Sequence, residues 1–315
     1  MAALTPSSDA AAMLAEDIAR QKEVFGKDLD EAVYAGLKSD DVRMSAYLRA
    51  IARAAPGKRV LDVGTGPEAL LAVAAAKAGA TSVVACEVNA ATAALARKAV
   101  EAAGVADVVS VVAGHSAELD LGAVDLVVSE IVGDLASEEG MAATLAALPP
   151  SVVARTGAWS VPARAETWVA PASLRLPAGG DGSSDVRLPM VPPPACVLGE
   201  RRLMESVDAR DLRLEQTRVH SWTVGAPATL TGFFCAPKIV LDDEIAIDCW
   251  TERTSWRSVL CLLDDPVLVE AGDVVALRVD ADLRRFPVVH TLTATLNGKP
   301  AGTIVVKLPD SGGGV

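Results

Sequence analysis

The run Val60-Leu61-Asp62-Val63-Gly64, continued by Thr65-Gly66 and then by an alanine-rich stretch, constrains this chain more than any other feature. An apolar run with β-branched residues that ends in closely spaced glycines and passes into helical composition reads as a buried strand, a tight turn and a covering helix. The texture then repeats. Ser82 to Glu87 reads as a second strand, Ala90 to Ala103 as a helix closed by Gly104, Val108 to Ala113 as a third strand, and Val124 to Val128 as a fourth. This predicts an open α/β sheet, which places its ligands outside the C-terminal ends of its strands. Aromatic residues are only 3% of the chain, so the helices must pack through alanine and the core must be rich in Ala, Val and Leu.

Two features stand where such a sheet binds ligands. The first is Gly64-x-Gly66-x-x-Ala69 with Glu87 at the end of the second strand. The glycines let the backbone approach a ligand, and the carboxylate accepts ribose hydroxyls; on these residues alone a nicotinamide dinucleotide enzyme stays open. The second is Ser129-Glu130-Ile131-Val132-Gly133-Asp134-Leu135-Ala136-Ser137-Glu138-Glu139-Gly140-Met141. Glu130 ends a strand, Gly133 allows a turn, and Glu139 stands where a helix over Ala142 to Leu148 begins, so the chain can fold back and bring two carboxylates to one site. Taken in isolation the same acids read as a solvated loop before an ordinary helix, whose first turn favours Glu.

In combination, Val60 to Gly66, Glu87, and Ser129-Glu130 with Glu139 resemble the protein arginine methyltransferase family, whose paired acids form a loop with this spacing. The resemblance extends from about Tyr34 to the C-terminal strands. It implies a Rossmann-like adenosylmethionine-binding domain followed by an all-β barrel-like domain, with a helical segment over 1–55, the cofactor domain over 56–160 and the barrel over 161–310. It also implies S-adenosyl-L-methionine as cofactor, met by Arg43, Asp62, Gly64, Gly66, Glu87 and, in the loop after the third strand, Glu118 beside the aligned Ala117. Arg43 in the step Asp40-Asp41-Val42-Arg43 would hold the cofactor carboxylate, a planar contact that favours Arg over Lys. Met141, Ser255 and Trp256 would line the acceptor channel, and Leu37 falls where many members carry a methionine.

The chain departs from the family in four places. No Tyr-Phe-x-x-Tyr helix is recognisable near Val24-Phe25-Gly26-Lys27-Asp28. Pro67-Glu68 follows Gly66 where the family continues with a third glycine. Ser255 precedes Trp256 where most members have histidine. Finally, Ser173 to Val197, with its Ala178 to Ser184 loop and Met190 to Pro194, shows no helical dimerisation arm, so a monomer or a dimer through another surface is expected.

Beyond Leu148-Pro149-Pro150 the chain changes to short strands split by Gly and Pro, an all-β pattern, and Ser311 to Val315 reads as a disordered tail. The net charge of −12, from 41 acids and 29 bases, argues against direct nucleic-acid binding and suits a cationic, arginine-containing partner. No signal-peptide order or membrane span is evident, and five cysteines without a CxxC pair suit reduced thiols, so a cytoplasmic protein is expected. His115 is expected as a surface loop residue, and no metal site is expected.

Guanidinium is a poor nucleophile, being protonated and delocalised. Two carboxylates on one side of it would draw positive charge toward the nitrogens they hold and leave a lone pair on the third. The resemblance therefore implies a methyltransferase for the guanidino nitrogen of arginine in a protein or peptide, with Glu130 and Glu139 catalytic. Alternatives are a methyltransferase for a small guanidine or amine, and a catalytically silent adenosylmethionine-fold binding module. Glu138, adjacent to the pair, is expected to point away from it.

Overall fold

In a computed structural model that describes residues 8–26, 39–175 and 184–307, the first half of the chain builds a parallel sheet of order β3-β2-β1-β4-β5. Its strands are β1 (Arg59–Val63), β2 (Ser82–Glu87), β3 (Val109–Ala113), β4 (Leu126–Ser129) and β5 (Ser160–Val161). The order reverses between β1 and β4, so the ends of these two strands open the crevice in which such sheets bind ligands. Before the sheet come α1 (Ser8–Phe25) and α2 (Asp41–Ala54); α3 (Leu70–Lys77), α4 (Ala90–Ala102) and α5 (Met141–Ala147) follow β1, β2 and β4. Asp40 caps α2 by accepting the Arg43 N–H, and Asn89 caps α4 by accepting the Thr92 N–H, each satisfying a donor that the helix leaves open.

The small-residue packing expected from composition is present. Ala46, Ala50, Ala72 and Ala75 are buried with Tyr47, Ile51, Leu61 and Leu126 in one core. Gly64 has φ of +73°, and a Cβ there would meet Ile131 at 3.0 Å, so the turn after β1 demands glycine on both counts.

The second half is antiparallel. One sheet has the order β7-β12-β10-β6-β8, with β11 paired to β10, and the other β15-β14-β13-β9. The strands are β6 (Arg164–Ala172), β7 (Asp185–Leu188), β8 (Arg202–Asp208), β9 (Glu215–Thr223), β10 (Ala228–Val240), β11 (Ala246–Asp248), β12 (Ser258–Val269), β13 (Val274–Asp282), β14 (Val289–Leu296) and β15 (Lys299–Lys307). Phe233, Val259, Leu277, Leu292 and Val306 form the core between the sheets. Leu135, from the loop that follows β4, is a member of that second core. All five cysteines are free thiols; Cys196 is half-buried and the others are buried. No described helix is long and apolar enough to cross a membrane. Leu37, the Tyr34 segment, most of the Ala178 to Ser184 loop and the Ser311 to Val315 tail lie outside the described residues.

Candidate active site

At the tips of β1 and β2 the glycine turn is held by carboxylates. Glu87 accepts the Gly66 N–H at 3.1 Å and the Asn89 N–H at 3.0 Å, which fixes its carboxyl group against the turn. Asp62 lies beneath. It is wholly buried, accepts the Thr65 hydroxyl at 2.6 Å and the Ala72 N–H at 3.0 Å, and burial pushes its carboxyl up to about 7. Asp62 therefore acts on the crevice through the turn it clamps, where the sequence suggested a direct ligand contact.

Helix α1 borders the same crevice. Asn89 Nδ2 donates to the Gly26 carbonyl at 2.9 Å, and His115 Nε2 meets Gln21 Oε1 at 2.8 Å. His115 also accepts the Ala117 N–H through Nδ1, so it is a buried docking residue and not the surface histidine expected. Glu118 differs from expectation too. Its half-exposed carboxylate is paired with Lys22 of α1, at the rim, because a lysine on the adjacent helix offers a closer charge than the crevice does.

The acidic loop lies one strand further on. Glu130 leaves the end of β4 and forms an ion pair with the guanidinium of Arg43, which is buried on α2. That guanidinium also donates to Ser255 Oγ at 3.0 Å and stacks 3.8 Å from the centre of the Trp256 ring, a cation–π contact. Asp40 Oδ2 accepts the Ser255 N–H at 2.6 Å, and Trp256 Nε1 donates to the Val132 carbonyl at 2.7 Å. Arg43, Glu130, Ser255 and Trp256 are thus one cluster, with Arg43 turned toward the acid rather than left alone to meet a ligand. Burial opposes the charge on Arg43, yet Glu130 raises its pKa. Glu139 shares the cluster's field. Burial, then the Glu130 charge, push its carboxyl up to about 8, while Arg43 pulls it down. Glu139 thus feels the charges of both Glu130 and Arg43, and the one guanidinium pairs directly with Glu130. Met141 is wholly buried at the start of α5 and packs in the core, so in this structure it does not line an open channel.

Glu138 is not the solvent-facing neighbour that the sequence suggested. It is 1% exposed and forms a two-pronged ion pair with Arg187 of β7 at 2.5 and 2.9 Å. Arg187 also reaches Asp134, which in turn accepts the N–H and guanidinium of Arg257 at 2.7 and 2.9 Å. Gly133 is required by this arrangement, because a Cβ there would lie 2.7 Å from the Glu138 Cβ. Arg187, Arg257 and Asp134 escaped sequence reasoning, since the two arginines lie far along the chain from the loop acids they meet. No three His, Cys, Asp or Glu side chains among the described residues are arranged to hold a metal.

Comparison with solved structures identifies this architecture. The chain superposes on the Trypanosoma brucei PRMT1 enzyme–prozyme heterotetrameric complex with AdoHcy at a TM-score of 0.73, with 19% identity, over 89% of this chain and 99% of that one. The fold is that of the protein arginine methyltransferases. The Arabidopsis thaliana protein arginine methyltransferase 10 agrees at a TM-score of 0.70 with 21% identity, covering 87% of this chain and 96% of that one. Within the fold, residues 45–146 match the family model "Ribosomal protein L11 methyltransferase (PrmA)". A curated relative named arginine N(omega)-methyltransferase, from Streptomyces achromogenes subsp. streptozoticus, is 44% identical over 100 residues, which are 30% of this chain and 27% of that one. A ribosomal protein L11 methyltransferase of Pelotomaculum thermopropionicum is 40% identical over 102 residues, 32% of this chain and 33% of that one. The match thus spans about a quarter to a third of the length of these curated relatives.

Proposed function

We propose that this chain is an S-adenosyl-L-methionine-dependent methyltransferase that acts on a guanidino nitrogen of arginine in a protein or peptide. The observation that carries the reading is that Glu130 and Trp256 together hold the Arg43 guanidinium, within reach of the Glu139 charge, so the groups gathered beyond β4 have the chemistry that suits a guanidinium. The crevice beside it fits a polar cofactor. Asp62 Oδ1, Ser129 Oγ, Tyr47 Oη and Arg43 Nε are buried without a hydrogen-bond partner among the described residues, and the Glu87 carboxylate stands at the tip of β2. Arg43, Gly64, Gly66 and Glu87 would hold the group, with Asp62 supporting the turn; Glu118 belongs to the rim.

S-adenosyl-L-methionine supplies, when bound, a methyl group on a sulfonium that leaves neutral. The residues of the chain then have three tasks. Glu130 and Glu139 hold the N–H groups of the acceptor, localise its charge on the held nitrogens and aim the remaining one. Trp256 walls the acceptor with an aromatic face that favours a cation. The acids take up the released proton as a coupled unit. No dedicated nucleophile is needed. Two domains, a cofactor domain over 56–160 and a barrel domain over 161–310, following a helical segment over 1–55, suit this division of labour.

A second acceptor class has one observation in its favour: the name of the Streptomyces relative specifies arginine without a protein. Incubation with methyl-labelled cofactor and either a Gly/Arg-rich peptide or free L-arginine, followed by mass spectrometry, tests both. Methylarginine in the peptide supports the proposal, methylation of free arginine alone moves the substrate to the small-molecule class, and transfer to neither rejects the activity.

A further inference from the structure

Behind the acidic loop lies a second buried ion pair that the transfer chemistry does not touch. Glu205 of β8 and His290 of β14 are both wholly buried, and His290 Nε2 lies 2.8 Å from Glu205 Oε2, so the pair joins the two antiparallel sheets. The Glu205 carboxylate is saturated with donors. Its Oε2 accepts the Ser137 hydroxyl at 2.6 Å, and its Oε1 accepts the Ser137 N–H at 3.2 Å and the Thr167 hydroxyl at 2.7 Å. Thr167 Oγ1 in turn accepts the Ala136 N–H at 2.8 Å. Two successive peptide groups directly before Glu138-Glu139 therefore end on one carboxylate of the opposite half of the molecule.

Other contacts of the loop close the argument. Leu135 is sealed in the core between the antiparallel sheets, and the Ser137 carbonyl accepts the Gly140 N–H at 2.9 Å. The segment 135–140 is thus bound on both sides of Ser137, and its backbone N–H donors at 136 and 137 lead to Glu205, the first through the Thr167 hydroxyl and the second directly. Burial would push the Glu205 carboxyl up, yet the His290 charge and the hydrogen bonds it receives hold it at about 2. Burial likewise opposes a charged His290, and Glu205 outweighs that and raises its pKa. The two shifts run in opposite directions, and each favours the charged form of its group.

We propose that Glu205 and His290, with Thr167 as relay, are positioning residues that fix Glu139 against Glu130, an inference that rests on the methyltransferase reading above. Neither touches the acceptor. They act by holding Ala136 and Ser137, and a displacement of about 1 Å in a group aligned for reaction can cost roughly a hundredfold in rate. An ionised anchor suits the task, because a charged acceptor forms shorter and stronger hydrogen bonds than a neutral one.

Thr167→Val removes the relay hydroxyl at nearly constant shape, Thr167→Ser restores it, and Glu205→Gln removes the charge. In Thr167→Val and Glu205→Gln, kcat for methyl transfer is expected to fall about ten- to a hundredfold, with affinity for S-adenosylhomocysteine within about twofold of wild type, while Thr167→Ser recovers most of the loss. Amide hydrogen exchange at 135–140 should accelerate in the same two variants, with the parallel sheet unchanged. Thr167→Val and Glu205→Gln that stay folded and keep both wild-type kcat and wild-type exchange at 135–140 overturn the proposal. Exchange needs no turnover, so the two readings fail separately. A wild-type protein that transfers no methyl group, yet whose loop loosens in the variants, rejects the activity and retains the anchor.

Discussion

The raised carboxyl of Glu139 makes the proposed acceptor site sensitive to pH in a calculable way. With Arg43 already balancing Glu130, an arriving guanidinium can be matched only if Glu139 is ionised. For a carboxyl at about 8, the ionised fraction is about 1% at pH 6 and about half at pH 8, so acceptor affinity should rise about fiftyfold over that interval. Binding near pH 7 should release about 0.9 proton, because about nine-tenths of the groups start protonated. Titration calorimetry with an arginine peptide, in the presence of the neutral product S-adenosylhomocysteine and in buffers of different ionisation enthalpy, measures both quantities. Glu139→Gln should flatten the profile and abolish the release. An affinity that changes less than about threefold between pH 6 and 8, or an unchanged slope in Glu139→Gln, would refute the reasoning. The same group sets the sign for stability. Its folded-state pKa lies above the ordinary value of 4.5, so its contribution to stability falls as pH rises from about 4.5 toward 8 and returns when a guanidinium binds.

Glu130→Gln and Glu139→Gln should each lower turnover by about a hundred- to a thousandfold, with the double variant losing less than the product of the two, as steady-state kinetics can decide. They should part company in stability, because Glu130→Gln strands the buried Arg43 at a cost of about 3–5 kcal/mol, whereas Glu139→Gln relieves a carboxyl that burial already disfavours; urea denaturation separates them. Glu138→Gln should cost about 1.5–3 kcal/mol through its lost bonds to Arg187, less than a fully stranded charge because Asp134 remains, and thermal unfolding of the variant will show it. Glu87→Ala should weaken S-adenosylhomocysteine binding by about ten- to a hundredfold in calorimetry, the equivalent of one charged hydrogen bond. Light scattering should find a monomer, or a dimer that survives deletion of Ala178 to Ser184.

What the sequence disclosed, and what it withheld, follows from the reach of each interaction. The parallel sheet was legible because each strand is a short apolar run closed by its own turn residues, as at Val60 to Gly66 and Ser82 to Glu87. Glu130 was legible because it ends such a run, and Arg43 because it stands in the Asp40-Asp41-Val42-Arg43 step that carried the family resemblance. Glu138 was misjudged for the converse reason. Adjacent residues at a helix start ordinarily diverge, one of them to solvent, and nothing local announces that Arg187 of β7 will cover this one. His115 was misjudged because α1, far upstream, supplies Gln21, and the same helix gives Glu118 a Lys22 partner that no local pattern announces. The Glu205–His290 pair left no trace in the pattern, since each residue sits singly on its strand and gains meaning only when two sheets meet.

The junction of the two halves bears on how such a site could admit an acceptor. β5 ends the parallel sheet at Val161 and β6 opens the antiparallel one at Arg164. Of the two residues between them, Ala163 donates its N–H to Leu241 and accepts the Ala209 N–H. A hinge needs residues free to absorb changes in φ and ψ, and this crossing has none to spare. The loop after β4, with Leu135 in the far core, ties the halves a second time. The site is thus built like a box with fixed walls, not like a pair of jaws. Its α1 side is tied in several places too, through Lys22 to Glu118, Gln21 to His115, Asn89 to the Gly26 carbonyl, the Phe286 N–H to Asp17, and Phe25 against Phe286, so this wall does not rest on a single contact.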